Sequence, residues 1–171
     1  MEDMPLRDPL LAEFDMEMAT TRRVLERVPD AKLGYQPHAK SWDMGTLAGH
    51  IANVCSWTGV TMQQSHFDIG SPQAAPPAKP ASSAALMEAF DKAVAGARDT
   101  LANAADEQFT QLWSLRKGEA VLFSMPKAAV LRNFILKHIV HHRGQLSVYL
   151  RLNDIPVPSI YGPSADENPF G

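Results

Sequence analysis

The amino-acid sequence predicts an all-α fold, a four-helix bundle built as one domain over residues 1–171. Three observations carry this. Four long segments place apolar residues three and four positions apart, prolines and glycines gather between those segments, and only one short stretch breaks the helical period. The length suits a single domain, and a chain of about 150 residues buries roughly 68–70% of its unfolded surface, enough for a core without disulfides.

The first helix is expected from about Asp8 to Val28, with Leu11, Phe14, Met18, Thr21, Leu25 and Val28 on one stripe, and Pro29 stops it. The second follows "SWDMGTLAGHIANVCSWTGVTMQQSHF". Ser41 is its expected N-cap, Asp43 suits the first turn, and Leu47, His50, Val54, Trp57 and Thr61 form its stripe. Prolines 72, 76, 77 and 80 make "DIGSPQAAPPAKPASS" a loop. The third helix runs from about Ser83 to Ala104, with Leu86, Phe90, Val94, Ala97 and Leu101 inward. "TQLWSL" and "AVLFSM" read as a short hairpin turned at Lys117-Gly118. The fourth helix is expected from about Lys127 to Asn153. The proline-rich tail after it is irregular, with Ile155, Val157, Ile160 and Tyr161 available to pack on the bundle.

Composition narrows the function. The net charge of −3 argues against a nucleic-acid binder, which ordinarily carries a basic face. No stretch approaches the ~18 apolar residues of a membrane span, and the acidic, periodic N-terminus does not resemble a signal peptide. A single cysteine, Cys55, permits no internal disulfide and fits a reducing compartment. A soluble, cytoplasmic protein acting on a small molecule is the expectation.

The histidines carry the chemistry. "KHIVHHRGQL" holds three of the six, His138, His141 and His142. Residues four apart lie about 40° apart around a helix, so His138 and His142 share a face. The inward stripe reads Leu131, Ile135, His138, His142, Gln145, Tyr149 and Leu152, and His50 occupies an equivalent place on the second helix. Polar groups at core positions need partners. One reading is a hydrogen-bonded core cluster. The other is a metal centre with His50, His138 and His142 as ligands. Neutral imidazole suits zinc, nickel, iron or copper, and three protein ligands leave a position open for water or substrate. His141 falls on the flank and is not expected to ligate. Cys55 lies about 140° from His50 around the helix and reads as a small buried hydrophobe.

Five basic residues and no acidic one lie between Ala120 and Asn153: Lys127, Arg132, Lys137, Arg143 and Arg151. They read either as cations suiting a helix C-terminus or as a basic lip that receives an anion, with Arg143 the candidate for steering it. Trp42 and Trp57 read as pocket walls or as core. No phosphate-cradling glycine loop, G-x-S-x-G or H-E-x-x-H occurs, and no carboxylate general base can be identified. Catalysis, if present, rests on the metal, which would activate water or a thiol or polarise a carbonyl.

"SWDMGTLAGHI" together with "HIVHHRGQLSVYLRLNDIPVPSIYGPSAD" resembles the DinB (DinB/YfiT-like) family of metal-dependent, damage-inducible proteins. The resemblance covers nearly the whole chain. It implies an up-down-down-up four-helix bundle, usually a homodimer, and a divalent metal on three histidines, carried here onto His50, His138 and His142. Zinc or nickel comes first, then iron, cobalt or manganese. It also implies a possible activity: characterised relatives include S-transferases and isomerases that use low-molecular-weight thiols such as bacillithiol or mycothiol. A thiol-dependent S-transferase is therefore the first expectation. A metal-dependent hydrolase on the same site, or a non-catalytic stress-induced metal-binding or dimeric interaction protein, is the alternative.

Overall fold

The computed structural model describes residues 5–74 and 79–170. The chain is mostly helical: α1 (Arg7–Leu25), α2 (Met44–Gln63), α3 (Ser83–Ala102), short α4 (Asp106–Thr110), α5 (Lys127–Val130) and α6 (Lys137–Arg151). It also carries β1 (His66–Asp68), β2 (Leu112–Lys117) and β3 (Ala120–Pro126) in one sheet of order β1-β2-β3. The all-α expectation is corrected by that sheet. No described helix is long and apolar enough to cross a membrane.

Helices α1 and α3 follow the expected apolar stripes, whereas α2 buries Leu47, Val54 and Thr61 of its stripe and leaves His50 and Trp57 half-buried. Helix α1 buries Phe14, Met18, Thr21 and Leu25, and α3 buries Leu86, Phe90, Ala97 and Leu101. Helix α2 packs against α3 and α6, and α1 packs against the same two. The cap of α2 differs from the expected one: Asp43, not Ser41, accepts from the Thr46 backbone N–H at 2.7 Å. Ser82 caps α3 in the same way, accepting from Ala85 N–H at 3.1 Å. Each cap satisfies an N–H that the first turn would leave without a partner. Within the expected proline loop, Pro72–Ala74 form a 3-10 turn, while Pro76 and Pro77 lie outside the described residues.

The hairpin forms as expected, but its turn is Gly118-Glu119, one residue later, because Lys117 pairs with Ala120. Gly118 has φ +59°, a conformation glycine adopts without a Cβ penalty. Strand β1 is too short to carry a period in sequence. It pairs parallel to β2, and the Asp68 carboxylate accepts from Gly70 and Gly118 N–H at 2.8 and 3.0 Å.

The last helix departs most from expectation. Between α5 and α6, residues Leu131–Leu136 form a π-helical segment instead of a continuous α-helix. A π turn contains one more residue than an α turn, so the helix surface beyond it shifts phase. Within it Leu131 and Ile135 are buried, as the stripe predicts. Beyond it the buried positions are Ile139, Arg143, Leu146 and Leu150, each one residue later than His138, His142, Gln145 and Tyr149. The hairpin braces this segment, with Phe123 stacked on Phe134 at 4.4 Å between ring centroids. Buried Lys127 donates to the Met62 carbonyl at 2.7 Å and ties the start of the helix to the end of α2.

The phase shift takes Arg143 into the core, where it is 1% exposed. Its guanidinium pairs with Glu17 at 2.8 Å and donates to Thr21 Oγ1 and Tyr161 Oη at 3.0 and 2.6 Å. Arg143 as an anion-steering residue is therefore corrected. The other four expected lip residues are also engaged away from a common site: Lys127 on Met62, Arg132 on Glu13, Lys137 on Asn133 and Arg151 on Asp166. The tail packs as expected, with Val157 buried and Ile155 and Ile160 against the core, though Tyr161 is exposed and acts through its hydroxyl. Asp166 accepts from Val157 N–H at 2.8 Å, and Glu167 accepts from Ser159 N–H at 2.7 Å while pairing with Arg23.

Breaking one side of a buried ion pair leaves an uncompensated charge and costs roughly 3–5 kcal/mol. Glu17→Ala is expected to lose about 3 kcal/mol of stability in urea denaturation, near the low end because Thr21 and Tyr161 still accept. Arg143→Met leaves the Glu17 carboxylate unpaired instead, but that side chain reaches water (14% exposed against 1% for Arg143), so this variant is expected to cost less. Equal losses for the two variants would refute the buried-charge account.

Candidate metal centre

The site joins α2 to α6. Helix α2 presents His50 and, two turns later, Trp57. Helix α6 presents His138 and His142 one turn apart. Because of the π segment, these imidazoles sit half-buried at the edge of the core, facing α2, and not at its centre. His50 Nε2 lies 3.1 Å from His138 Nε2, and His138 Nε2 lies 2.8 Å from His142 Nε2. One nitrogen from each ring falls within 4.8 Å of the other two. The three histidines singled out from the sequence are thus brought together, and they form a group that could hold a metal ion.

The outer nitrogens determine what the inner ones present. His142 Nδ1 is 2.7 Å from Gln145 Oε1, an acceptor, so Nδ1 carries the proton. With Nδ1 protonated, neutral His142 presents a bare Nε2 lone pair 2.8 Å from His138 Nε2. Three imidazole nitrogens that converge in this way can offer their lone pairs to one cation. The donor set therefore fits a divalent metal, and the outer hydrogen bond from His142 to Gln145 is of the kind that orients a metal-bound histidine.

Electrostatics keep the rings neutral. Burial pushes His50 down to about 4, and the neighbouring His142 and His138 push in the same direction. Burial lowers His138 as well, followed by His142, with the Phe134 hydrogen bond opposing. Burial lowers His142, opposed by Gln145. Neutral imidazole is the form that binds metal. Among the described residues no cysteine or carboxylate joins the three histidines, so the protein supplies three donors and leaves the shell incomplete.

His141 is exposed and stays outside the donor group, as expected. Cys55 is buried, with Sγ 3.4 Å from Met18 Sδ, and burial pushes its thiol up to about 12, so it is an inert core residue. Trp42 and Trp57 both border the histidines, although Trp42 precedes α2 instead of lying on it. Sequence reasoning missed Gln145 as an orienting group. Gln145 had a signal, three residues after His142, but the assumed unbroken helix placed it in the core.

Comparisons with known proteins bear on the family and the fold. The model of the DinB family matches residues 3–168. An uncharacterised Bacillus subtilis protein, YrdA, is 26% identical over 164 residues, covering 94% of this chain and 90% of that one. The crystal structure of a DinB-like protein from Bacillus cereus superposes with a TM-score of 0.69 at 22% identity, over 89% of this chain and 95% of that one. A DinB-like protein from Bacillus subtilis, YjoA, gives 0.67 at 17%, over 88% and 96%. With the family model matching almost from end to end and solved DinB-like proteins sharing the fold, the chain belongs to the DinB family.

Proposed function

We propose that His50, His138 and His142 hold one divalent metal through their Nε2 atoms, and that the chain is a metal-dependent enzyme, a thiol-dependent S-transferase. The observation that carries this is the convergence of three imidazole nitrogens, His138 Nε2 lying 2.8 Å from His142 Nε2 on α6 and 3.1 Å from His50 Nε2 on α2. Zinc or nickel suits three imidazoles best, with iron, cobalt and manganese admissible. Four long helices arranged as an up-down-down-up bundle, a homodimer and a cytoplasmic location are part of the same reading.

A bound divalent metal supplies Lewis acidity, which ionises a thiol outright and lowers the pKa of water toward neutrality. The chain's own residues do the rest. Gln145 holds the proton on the outer nitrogen of His142, which keeps its inner nitrogen aimed at the other two rings. Burial keeps the rings neutral. The nearest acidic side chain in sequence, Asp43, is committed to Thr46 N–H and to Lys79 at 2.9 Å. A thiol needs no carboxylate base once it is ionised, and that favours thiol transfer over hydrolysis, where a base ordinarily assists the water.

Protein purified without a histidine tag or chelator is expected to carry about one metal per chain, lost in His138→Ala, by elemental analysis. With that metal, consumption of a thiol together with an alkylating electrophile supports the transferase. Ester cleavage without thiol favours the hydrolase, and wild-type metal content with no turnover of either kind favours a binding role. Gln145→Ala is expected to keep the fold and weaken metal binding roughly tenfold or more in a competitive chelator titration.

The pKa shifts also predict a pH dependence. All three folded values lie below the ordinary 6.5, so the folded state resists protonation more than the unfolded chain does. Their contribution to stability is full above 6.5 and is lost as pH falls, for His50 down to about 4. Metal-free protein should therefore lose urea resistance between those values, and His50→Gln should flatten the dependence. A midpoint independent of pH in that window would contradict the assignment.

A further inference from the structure

Two indole rings border the three-histidine group. Trp42 meets His50 edge-on, with ring centroids 5.0 Å apart, and stacks along His142 at 5.9 Å with planes 28° apart. Trp57 meets His50 and His138 edge-on at 5.8 and 5.3 Å. Both indoles therefore flank His50, and they divide the two α6 histidines between them. Trp57 is held by α2 itself. Trp42 is held by its backbone, since its carbonyl accepts from Tyr149 Oη at 3.1 Å and the next residue, Asp43, is the α2 cap. It nevertheless remains 49% exposed beside the imidazoles. A lone exposed tryptophan would mean little. A fixed one against two of the three candidate ligands, matched by a second on the other side, is a wall.

Among the described residues, the cations nearest these groups in α6 and against the α2 cap are taken up elsewhere. Arg143, next to His142 in sequence, is turned into the core on Glu17. Lys79 is paired with Asp43 at 2.9 Å, and Lys137 donates to Asn133 at 2.7 Å. An anionic group on an incoming ligand would lose water beside indole faces without those three cations as partners. A flat apolar group would gain edge or offset contacts at the 4.5–7 Å ring separations that aromatic pairs prefer.

We propose that Trp42 and Trp57 are specificity-determining residues, which select for the open position of the three-histidine centre a ligand with an aryl body over an anionic one. This rests on the reading of the histidines as a metal centre. In its thiol form, the ligand class is an arylalkyl thiol.

The test uses zinc-loaded full-length protein and three thiol probes: phenylmethanethiol, 2-mercaptoethanol and mercaptoacetate. Binding is read by calorimetry and by quenching of tryptophan fluorescence, with zinc content measured alongside. Phenylmethanethiol is expected to bind roughly tenfold or more tightly than the other two. Trp42→Leu and Trp57→Leu should each reduce that preference by about threefold to tenfold while zinc content stays at the wild-type level. Trp42, being half-exposed, provides the variant least disturbing to the fold. Equal binding of the three probes, tighter binding of mercaptoacetate, or an unchanged preference in both variants overturns the proposal and leaves the metal centre standing. Protein that takes up no zinc overturns both.

Discussion

The one-residue phase advance in the last helix governs the rest of the structure. In an unbroken α-helix, the seam through Leu131 and Ile135 would continue through His138 and His142 and bury them. The π segment at Leu131–Leu136 moves the seam to Ile139, Leu146 and Leu150. The two histidines then rotate to the core's edge, within reach of His50 on α2 and of a ligand from solvent. π segments inside α-helices often mark functional sites, because they redirect side chains without ending the helix. Here the departure from regular bonding is braced by Phe123 on Phe134 and by Lys127 on the end of α2.

The same advance puts a guanidinium where an aliphatic side chain would ordinarily sit. Arg143 is tolerated because it has three partners on two elements: Glu17 and Thr21 on α1, and Tyr161 on the tail. A buried charge so paired is weak as a source of net stability but demanding in geometry. It links α1, α6 and the tail in one arrangement, and Asp166 and Glu167 fasten the tail further through Val157, Ser159, Arg151 and Arg23. The cations of the last third of the chain are thus taken up by the fold, and the surface beside the histidines is aromatic instead of basic.

The histidine group depends on neutrality. Burial and mutual proximity suppress protonation, and Gln145 sets which nitrogen of His142 carries the proton. The cluster is well composed as a donor set for a borderline metal ion.

Much was legible along the chain. Helical spacing located α1, α2 and α3, because each repeats apolar residues at helical intervals, although on α2 the expected stripe members His50 and Trp57 sit at the edge of the buried face. The i, i+4 relation of His138 and His142, with His50 at an equivalent place, identified the group that the fold brings together, and the hairpin was readable from its turn residues. Strand β1 was not, since three residues carry no period and it exists only by pairing with β2. Nor was the π segment, because Leu131–Leu136 looks like ordinary helix until its side chains meet Phe123 and the body of the protein. That one unreadable turn misassigned Arg143, Gln145 and the depth of the histidines together. Local spacing alone therefore determined which residue types could cooperate on one helix face. Only the tertiary structure decided which way that face points, because helix phase beyond a wide turn is set by packing against neighbouring elements and not by the sequence interval between two residues.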